Sequence, residues 1–183
     1  MKKIVIVGPP GCGKGTQSKI LSERLNLKHI SSGDMIREIM NSINKKEEAD
    51  RTSKEKELIC CMNEGRLVDD ALICHLIMEK LENFSGFILD GFPRNQHQAK
   101  LVLDHIYLVI FINVDYNECI NRITSRNEGR SDDTKEVAQN RLEIYRKETL
   151  PAIEFLRGIK KFVEVDGNQL RLSVADDIYK IFD

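Results

Sequence analysis

The chain has 183 residues, with 28 Lys and Arg against 29 Asp and Glu, 41% hydrophobic and 31% charged residues. That balance describes one soluble globular domain and excludes a disordered or collagen-like chain. A formal net charge of −1 argues against broad nucleic-acid binding, which needs an excess of Lys and Arg on one face, and leaves room for a local cationic pocket.

Short apolar runs bounded by turn residues recur at residues 3–7, 28–30, 87–89, 107–113 and 162–165. Each reads as a strand. Between them, helical spacing predicts helices at residues 15–25, 34–43, 53–64, 69–81, 96–104, 117–126, 134–146, 151–156 and 173–181. Strands such as Ile4-Val5-Ile6-Val7 show little polar alternation, as expected of a parallel sheet buried on both faces by crossover helices. The expected fold is α/β: a doubly wound parallel five-stranded sheet flanked by helices. Residues 41–57 carry five positive and five negative side chains and a single Ile, so they read as an exposed excursion with no ligand of its own.

The five cysteines, Cys12, Cys60, Cys61, Cys74 and Cys119, are odd in number and include an adjacent pair, which is no disulfide framework. A reducing compartment follows, and the cytoplasm is the expected location. Met1-Lys2-Lys3 begins like a signal peptide, but the apolar run after it ends at Gly8-Pro9-Pro10, too soon for one. The longest apolar stretch, residues 106–114, is interrupted by Asn113 and falls far short of the roughly 20 residues a membrane span needs. Neither membrane nor nucleic acid is an expected partner.

Gly8-Pro9-Pro10-Gly11-Cys12-Gly13-Lys14-Gly15-Thr16 follows the first strand and opens the first helix. Glycines there let main-chain N–H groups turn inward around an anion, the helix start adds its positive dipole end, and Lys14 can reach the outer phosphates. The strict phosphate-loop pattern places a hydroxyl directly after Lys; here Gly15 intervenes and the hydroxyl arrives at Thr16. Cys12 reads as a small loop residue. Asp90 ends the strand 87–89, where an acidic side chain can hold Mg2+ through water beside the loop. It equally starts an Asp-Gly turn, and the two roles are compatible.

Arg122 and Arg126 lie four apart on one predicted helix, Arg130 follows in the connection, and Arg141 recurs on the next helix. The planar fork of guanidinium meets phosphate oxygens in paired hydrogen bonds and keeps its charge near neutrality. Solvated surface arginines are the plain alternative, and the phosphate loop weakens it.

The loop ending Lys-Gly-Thr resembles that of the nucleoside monophosphate kinases. Further stretches in the order of that family are Ser31-Ser32-Gly33-Asp34-Met35-Ile36-Arg37, Gly65-Arg66-Leu67-Val68, Asp90-Gly91-Phe92-Pro93-Arg94 and Gly129-Arg130-Ser131-Asp132-Asp133. Together they span most of the chain. The resemblance implies reversible phosphoryl transfer from Mg-ATP to a nucleoside monophosphate, in one kinase domain. Its core would be residues 1–31, 69–126 and 134–183, with an acceptor-binding excursion at 32–68 and a short lid at 127–133. It implies ATP contacts at Gly11, Cys12, Gly13, Lys14, Gly15, Thr16, Arg122 and Arg126, with Thr16 and Asp90 at the Mg2+. Acceptor contacts would be Ser32, Arg37, Arg66, Val68, Gly91, Arg94, Gln98, Arg130 and Arg141. The moving phosphoryl group would fall to Lys14, Arg94, Arg126, Arg130 and Arg141.

Residues 127–133 contain neither Cys nor His, so no structural zinc is expected; a monomer is expected too. Gln98 carries an amide donor and acceptor suited to a purine edge, although a plain surface Gln explains it as well. Gln98-Ala99 resembles the adenylate kinases, whereas Pro93-Arg94-Asn95-Gln96 and Gly129-Arg130-Ser131-Asp132-Asp133 resemble UMP/CMP kinases. AMP is the favoured acceptor, UMP or CMP the alternative, and a nucleotide-binding scaffold without turnover the reading outside enzymes. A regulatory GTPase is disfavoured, since no Asn-Lys-x-Asp element occurs. A sugar or shikimate-type kinase would lack the Asp-Gly-Phe-Pro-Arg and Ser-Gly-Asp pair. His29, His75, His97 and His105 are expected to pack or face solvent.

Overall fold

The structure is a computed structural model that describes residues 2–125 and 134–182. Five parallel strands, β1 (Lys3–Val7), β2 (Lys28–Ser31), β3 (Phe87–Asp90), β4 (Leu108–Asn113) and β5 (Lys161–Asp166), form one sheet in the order β2-β3-β1-β4-β5. Alternate residues of the three inner strands point to opposite faces. Val5, Val7, Phe87, Leu89, Val109 and Phe111 enter one core, while Ile4, Ile6, Ile88, Leu108, Ile110 and Ile112 enter the other. Both faces are therefore apolar and covered, which explains the unbroken hydrophobic runs.

The helices are α1 (Lys14–Leu25), α2 (Ser32–Ile43), α3 (Ser53–Glu64), α4 (Asp70–Glu82), α5 (Gln96–Val102), α6 (Tyr116–Thr124), α7 (Lys135–Ile144), α8 (Leu150–Arg157) and α9 (Arg171–Tyr179). Local chemistry fixes their starts. Ser31 caps α2 by accepting from Asp34 N–H. Thr52 and Glu55 form a reciprocal capping box on α3, which satisfies two otherwise orphaned donors. Lys46 donates to Glu55 at 2.6 Å, and that contact leads in holding the Glu55 carboxyl down at about 2.

Two expectations need correction. Ile43, placed in the exposed charged stretch, is only 3% exposed and belongs to the core on the β2 side; residues 44–50 around it are exposed as expected. The helices predicted at 134–146 and 151–156 are joined through a π-helical turn, Tyr145–Thr149. The reason is Pro151, near the start of α8. Its ring would clash with the carbonyl four residues back in a regular α-helix, and the wider turn lies at that place.

Candidate active site

The carboxyl ends of β1, β2 and β3 meet at one level, because Ile6 and Ser31 are both register partners of Asp90. Ligands of open parallel sheets lie outside such ends. A cavity of about 560 Å³ opens there.

The phosphate loop is shaped from below by glycines. A Cβ on Gly8 would run into the Ile112 carbonyl, and one on Gly11 would approach the Cys119 carbonyl to 2.5 Å, so the loop lies directly on β4 and α6. Gly13 precedes α1 in left-handed backbone, φ 95°, and an added Cβ there would meet nothing within 4 Å. Its open side faces the cavity. No side chain caps α1, so its first N–H groups point toward the cleft with the positive end of the helix dipole. Lys14 Nζ donates to the carbonyls of Gly8 and Pro9 at 2.8 and 2.9 Å, folding the amine across the loop. Gly11, Gly13, Lys14, Gly15 and Thr16 all line the cavity. Cys12 does not: it is buried, with Sγ 3.7 Å from Lys14 Nζ. The neighbouring Cys119 thiol is pushed up to about 12, first by burial, so it stays protonated and inert.

Asp90 is 6% exposed and accepts from Ser31 Oγ at 3.2 Å and from His29 Nε2. Its Oδ2 stands 4.0 Å from where a Gly15 Cβ would be, beside the first turn of α1. His29, expected to pack or face solvent, instead touches the acidic side chain of the site; its place on β2, two residues before Ser31, was the available signal.

On the other side of the cleft, Ser32 Oγ donates to the Gly91 carbonyl at 2.7 Å. Gly91 has φ 72°, and a Cβ there would collide with that same hydroxyl. Arg37 pairs with Asp34. Burial pushes the Asp34 carboxyl up, but the Arg37 guanidinium outweighs it and leaves Asp34 below its ordinary range. Arg94 Nε donates to the Gly91 carbonyl at 2.8 Å. Gln98 lines the cavity, is 2% exposed, and engages protein at both ends of its amide. Its Oε1 accepts from Arg94 N–H at 2.7 Å and its Nε2 donates to Asp70 at 2.8 Å. Asn95 caps α5 and donates to both oxygens of Asp70. Burial raises the Asp70 carboxyl, yet the hydrogen bonds from Asn95, Gln98 and His97 hold it below the usual range.

Arg66 and Val68 line the cavity, but the Arg66 guanidinium is turned to Glu64 and Glu57, at 2.5 and 3.3 Å. Arg141 on α7 lines the cavity as well. It packs against Gly65, whose left-handed turn at φ 69° leaves only 3.0 Å between an added Cβ and Arg141 Cγ. Asn140 Nδ2 donates to the Glu64 carbonyl at 2.5 Å, tying α7 to the end of α3. Arg122 stands apart from the cavity lining, held by Glu118 at 2.7 Å and the Gly167 carbonyl at 3.0 Å. Arg126 and Arg130, with the expected lid at 127–133, lie outside the described residues. Lys19, Tyr145, Thr149 and Arg171 join the lining without having been singled out in the sequence. Only Arg171 had a legible signal, its place in the turn after the last strand.

A five-stranded parallel sheet with a phosphate loop on its central strand, and fixed cations across the cleft from it, defines a P-loop nucleotide-binding α/β protein. The adenylate kinase family model matches residues 6–161. The chain is 46% identical to an adenylate kinase of Encephalitozoon cuniculi (strain GB-M1) over 166 residues, covering 90% of this chain and 89% of that protein. It is 38% identical to an adenylate kinase of Prochlorococcus marinus (strain MIT 9211), covering 90% and 88%. It is 36% identical to adenylate kinase 1 of Nostoc sp. (strain PCC 7120), covering 97% of each chain. The chain belongs to the adenylate kinase family.

Proposed function

We propose that the protein transfers the terminal phosphoryl group of ATP to AMP, reversibly, giving two ADP. One observation carries this reading: a single cavity is lined by the loop after β1 and by Arg37 and Arg94 after β2 and β3. Two anionic ligands fit there end to end, one on loop amides and Lys14, the other on the two guanidiniums. Kinship with proteins named adenylate kinases supports AMP over UMP or CMP.

An acceptor phosphate oxygen is already anionic near neutrality, so the transfer needs no strong general base. Lys14, Arg37, Arg94 and Arg141 position the two phosphate chains and neutralise charge as it develops. Arg126 and Arg130 are proposed for the same work. Gln98 reaches a purine edge by exchanging its bonds to Arg94 and Asp70. Ser32, Arg66, Val68 and Gly91 form the acceptor's surroundings, within an excursion at residues 32–68.

The donor set fits Mg2+: one buried carboxylate, Asp90, and the Thr16 hydroxyl lie near the loop, both hard oxygens, and Mg2+ usually takes few protein ligands beside phosphates and water. Asp90 would hold it through water, because His29 and Ser31 already engage the carboxylate. Bound Mg2+ would neutralise charge on the donor's outer phosphates.

Coupled assays of ADP formation from ATP with AMP, UMP and CMP test the reading. AMP turnover well above the other two is expected. Negligible AMP turnover reverses the acceptor, and ATP binding without any ADP returns the scaffold.

A further inference from the structure

We propose that Asp70 fixes which end of the Gln98 amide donates to the acceptor base, and so makes the site select a 6-amino purine over a 6-oxo purine. This rests on the reading of Gln98 as the residue that meets the acceptor's purine edge. Gln98 lines the cavity together with Val68 and Arg94, whereas Asp70 is not part of that lining. Asp70 is therefore a positioning residue, acting from behind the amide.

The two ends of a glutamine amide have nearly the same shape, so its hydrogen-bond partners decide which end carries the N–H groups. Here they leave one choice. Arg94 N–H, a group that only donates, meets Oε1 at 2.7 Å. Asp70 Oδ1, which only accepts when ionised, meets Nε2 at 2.8 Å. Reversing the amide would set oxygen against carboxylate and nitrogen against N–H, in a side chain only 2% exposed, where lost hydrogen bonds are costly. The surroundings keep Asp70 ionised. It is the first residue of α4, where the helix dipole favours a negative charge. Asn95 Nδ2 donates to both of its oxygens at 2.9 Å, and His97 Nδ1 lies 3.2 Å from Oδ2. Side chains at the start of α5 thus converge on one carboxylate and hold it beside the amide.

Each end of the amide has a second valence, the other hydrogen on Nε2 and the other lone pair on Oε1. When the amide turns to a base, its nitrogen end stays on the Asp70 side, because the carboxylate still repels the oxygen. The ligand then meets a donor and an acceptor in a fixed order. Adenine complements that order with N1, which accepts, and its N6 amino group, which donates. Hypoxanthine and guanine present an N–H and a carbonyl oxygen in the same two places. They would set donor against donor and acceptor against acceptor.

The test measures binding of AMP and inosine monophosphate by calorimetry, with a nonhydrolysable ATP analogue in the donor site. It uses the full chain, Asp70→Asn and Asp70→Ala, each well below its thermal midpoint. The natural protein should prefer AMP about a hundredfold, the scale of two mismatched bonds, and each variant should lower that preference about tenfold, the scale of one. In a Gln98→Met background neither substitution should change the preference, because Asp70 acts only through the amide. Weaker binding of both monophosphates at an unchanged ratio would overturn the proposal, since Asp70 would then serve packing alone. A change of ratio that persists without Gln98 would overturn it too, as would a natural protein that binds AMP and inosine monophosphate alike. Binding of neither by the natural protein would overturn the acceptor reading itself, and this proposal with it.

Discussion

Thr149 Oγ1 donates a 2.8 Å hydrogen bond to the carbonyl of Arg94. Arg94 N–H is meanwhile held by Gln98, and its guanidinium by the Gly91 carbonyl. Thr149 closes the π-helical turn between α7, which carries Arg141, and α8, which packs on α5. A π turn holds an extra residue relative to α-helical hydrogen bonding, so it sets the angular phase between Arg141 and Thr149. Two cavity-lining arginines are related through this turn.

Thr149→Val removes that donor and leaves the Arg94 carbonyl, in a part-buried place, without a side-chain partner. We expect the KM for AMP to rise about three- to tenfold, from roughly 1 kcal/mol of lost hydrogen bond, with the KM for ATP unchanged. Thr149→Ser should restore it. A parallel rise in both constants would mean a general loss of structure.

Lys14→Met keeps the stem of the side chain and deletes the charge. The fold should persist, since the bonds lost are to the carbonyls of its own loop. Turnover should fall about a hundredfold or more, as for loss of one preorganised transition-state donor, with a wild-type thermal midpoint.

Gly11→Ala and Gly13→Ala should separate packing from ligand space. Both positions have left-handed backbone, φ 89° and 95°, which costs an L-residue about 1–2 kcal/mol. At Gly11 the new methyl also presses on the Cys119 backbone, while at Gly13 it meets no protein atom. Thermal unfolding should therefore show the larger drop for Gly11→Ala. Gly13→Ala should lose more ATP affinity than stability, because its methyl points into the cleft.

Asp70 has a folded-state pKa below its unfolded value. The unfolded chain therefore binds more protons in that range, so the stability Asp70 contributes is complete above about pH 4 and is lost as pH falls through the folded value. Thermal midpoints should decline below pH 4 in the natural protein. Asp70→Asn should start lower at neutral pH and decline less on acidification. Parallel curves for the two would remove Asp70 from the acid transition.

How much of the site could be read in advance differs along the chain. The phosphate loop was legible because glycines, Lys14 and the strand-to-helix setting are contiguous, so their chemistry needs no distant partner. Gln98 was legible as an amide near the acceptor, but not its two bonds, since Asp70 lies 28 positions upstream and comes beside it only when α4 and α5 pack. Arg122 was legible as an arginine suited to the donor's phosphates, but not its bond to the Gly167 carbonyl, which lies 45 positions further on. Thr149 offered no signal, because a hydroxyl near a proline has no direction until the turn's phase is set.

Local pattern alone determined the alternation of strands and helices, the burial of the sheet on both faces and the anion-binding turn, because periodicity, glycine and helix dipole act over a few residues. Tertiary packing alone decided that Ile43 is core, that His29 and Ser31 engage Asp90, and that Arg171 lines the cleft. Those outcomes depend on which strand ends lie side by side, and strand order is fixed by long-range burial that no stretch of sequence carries by itself.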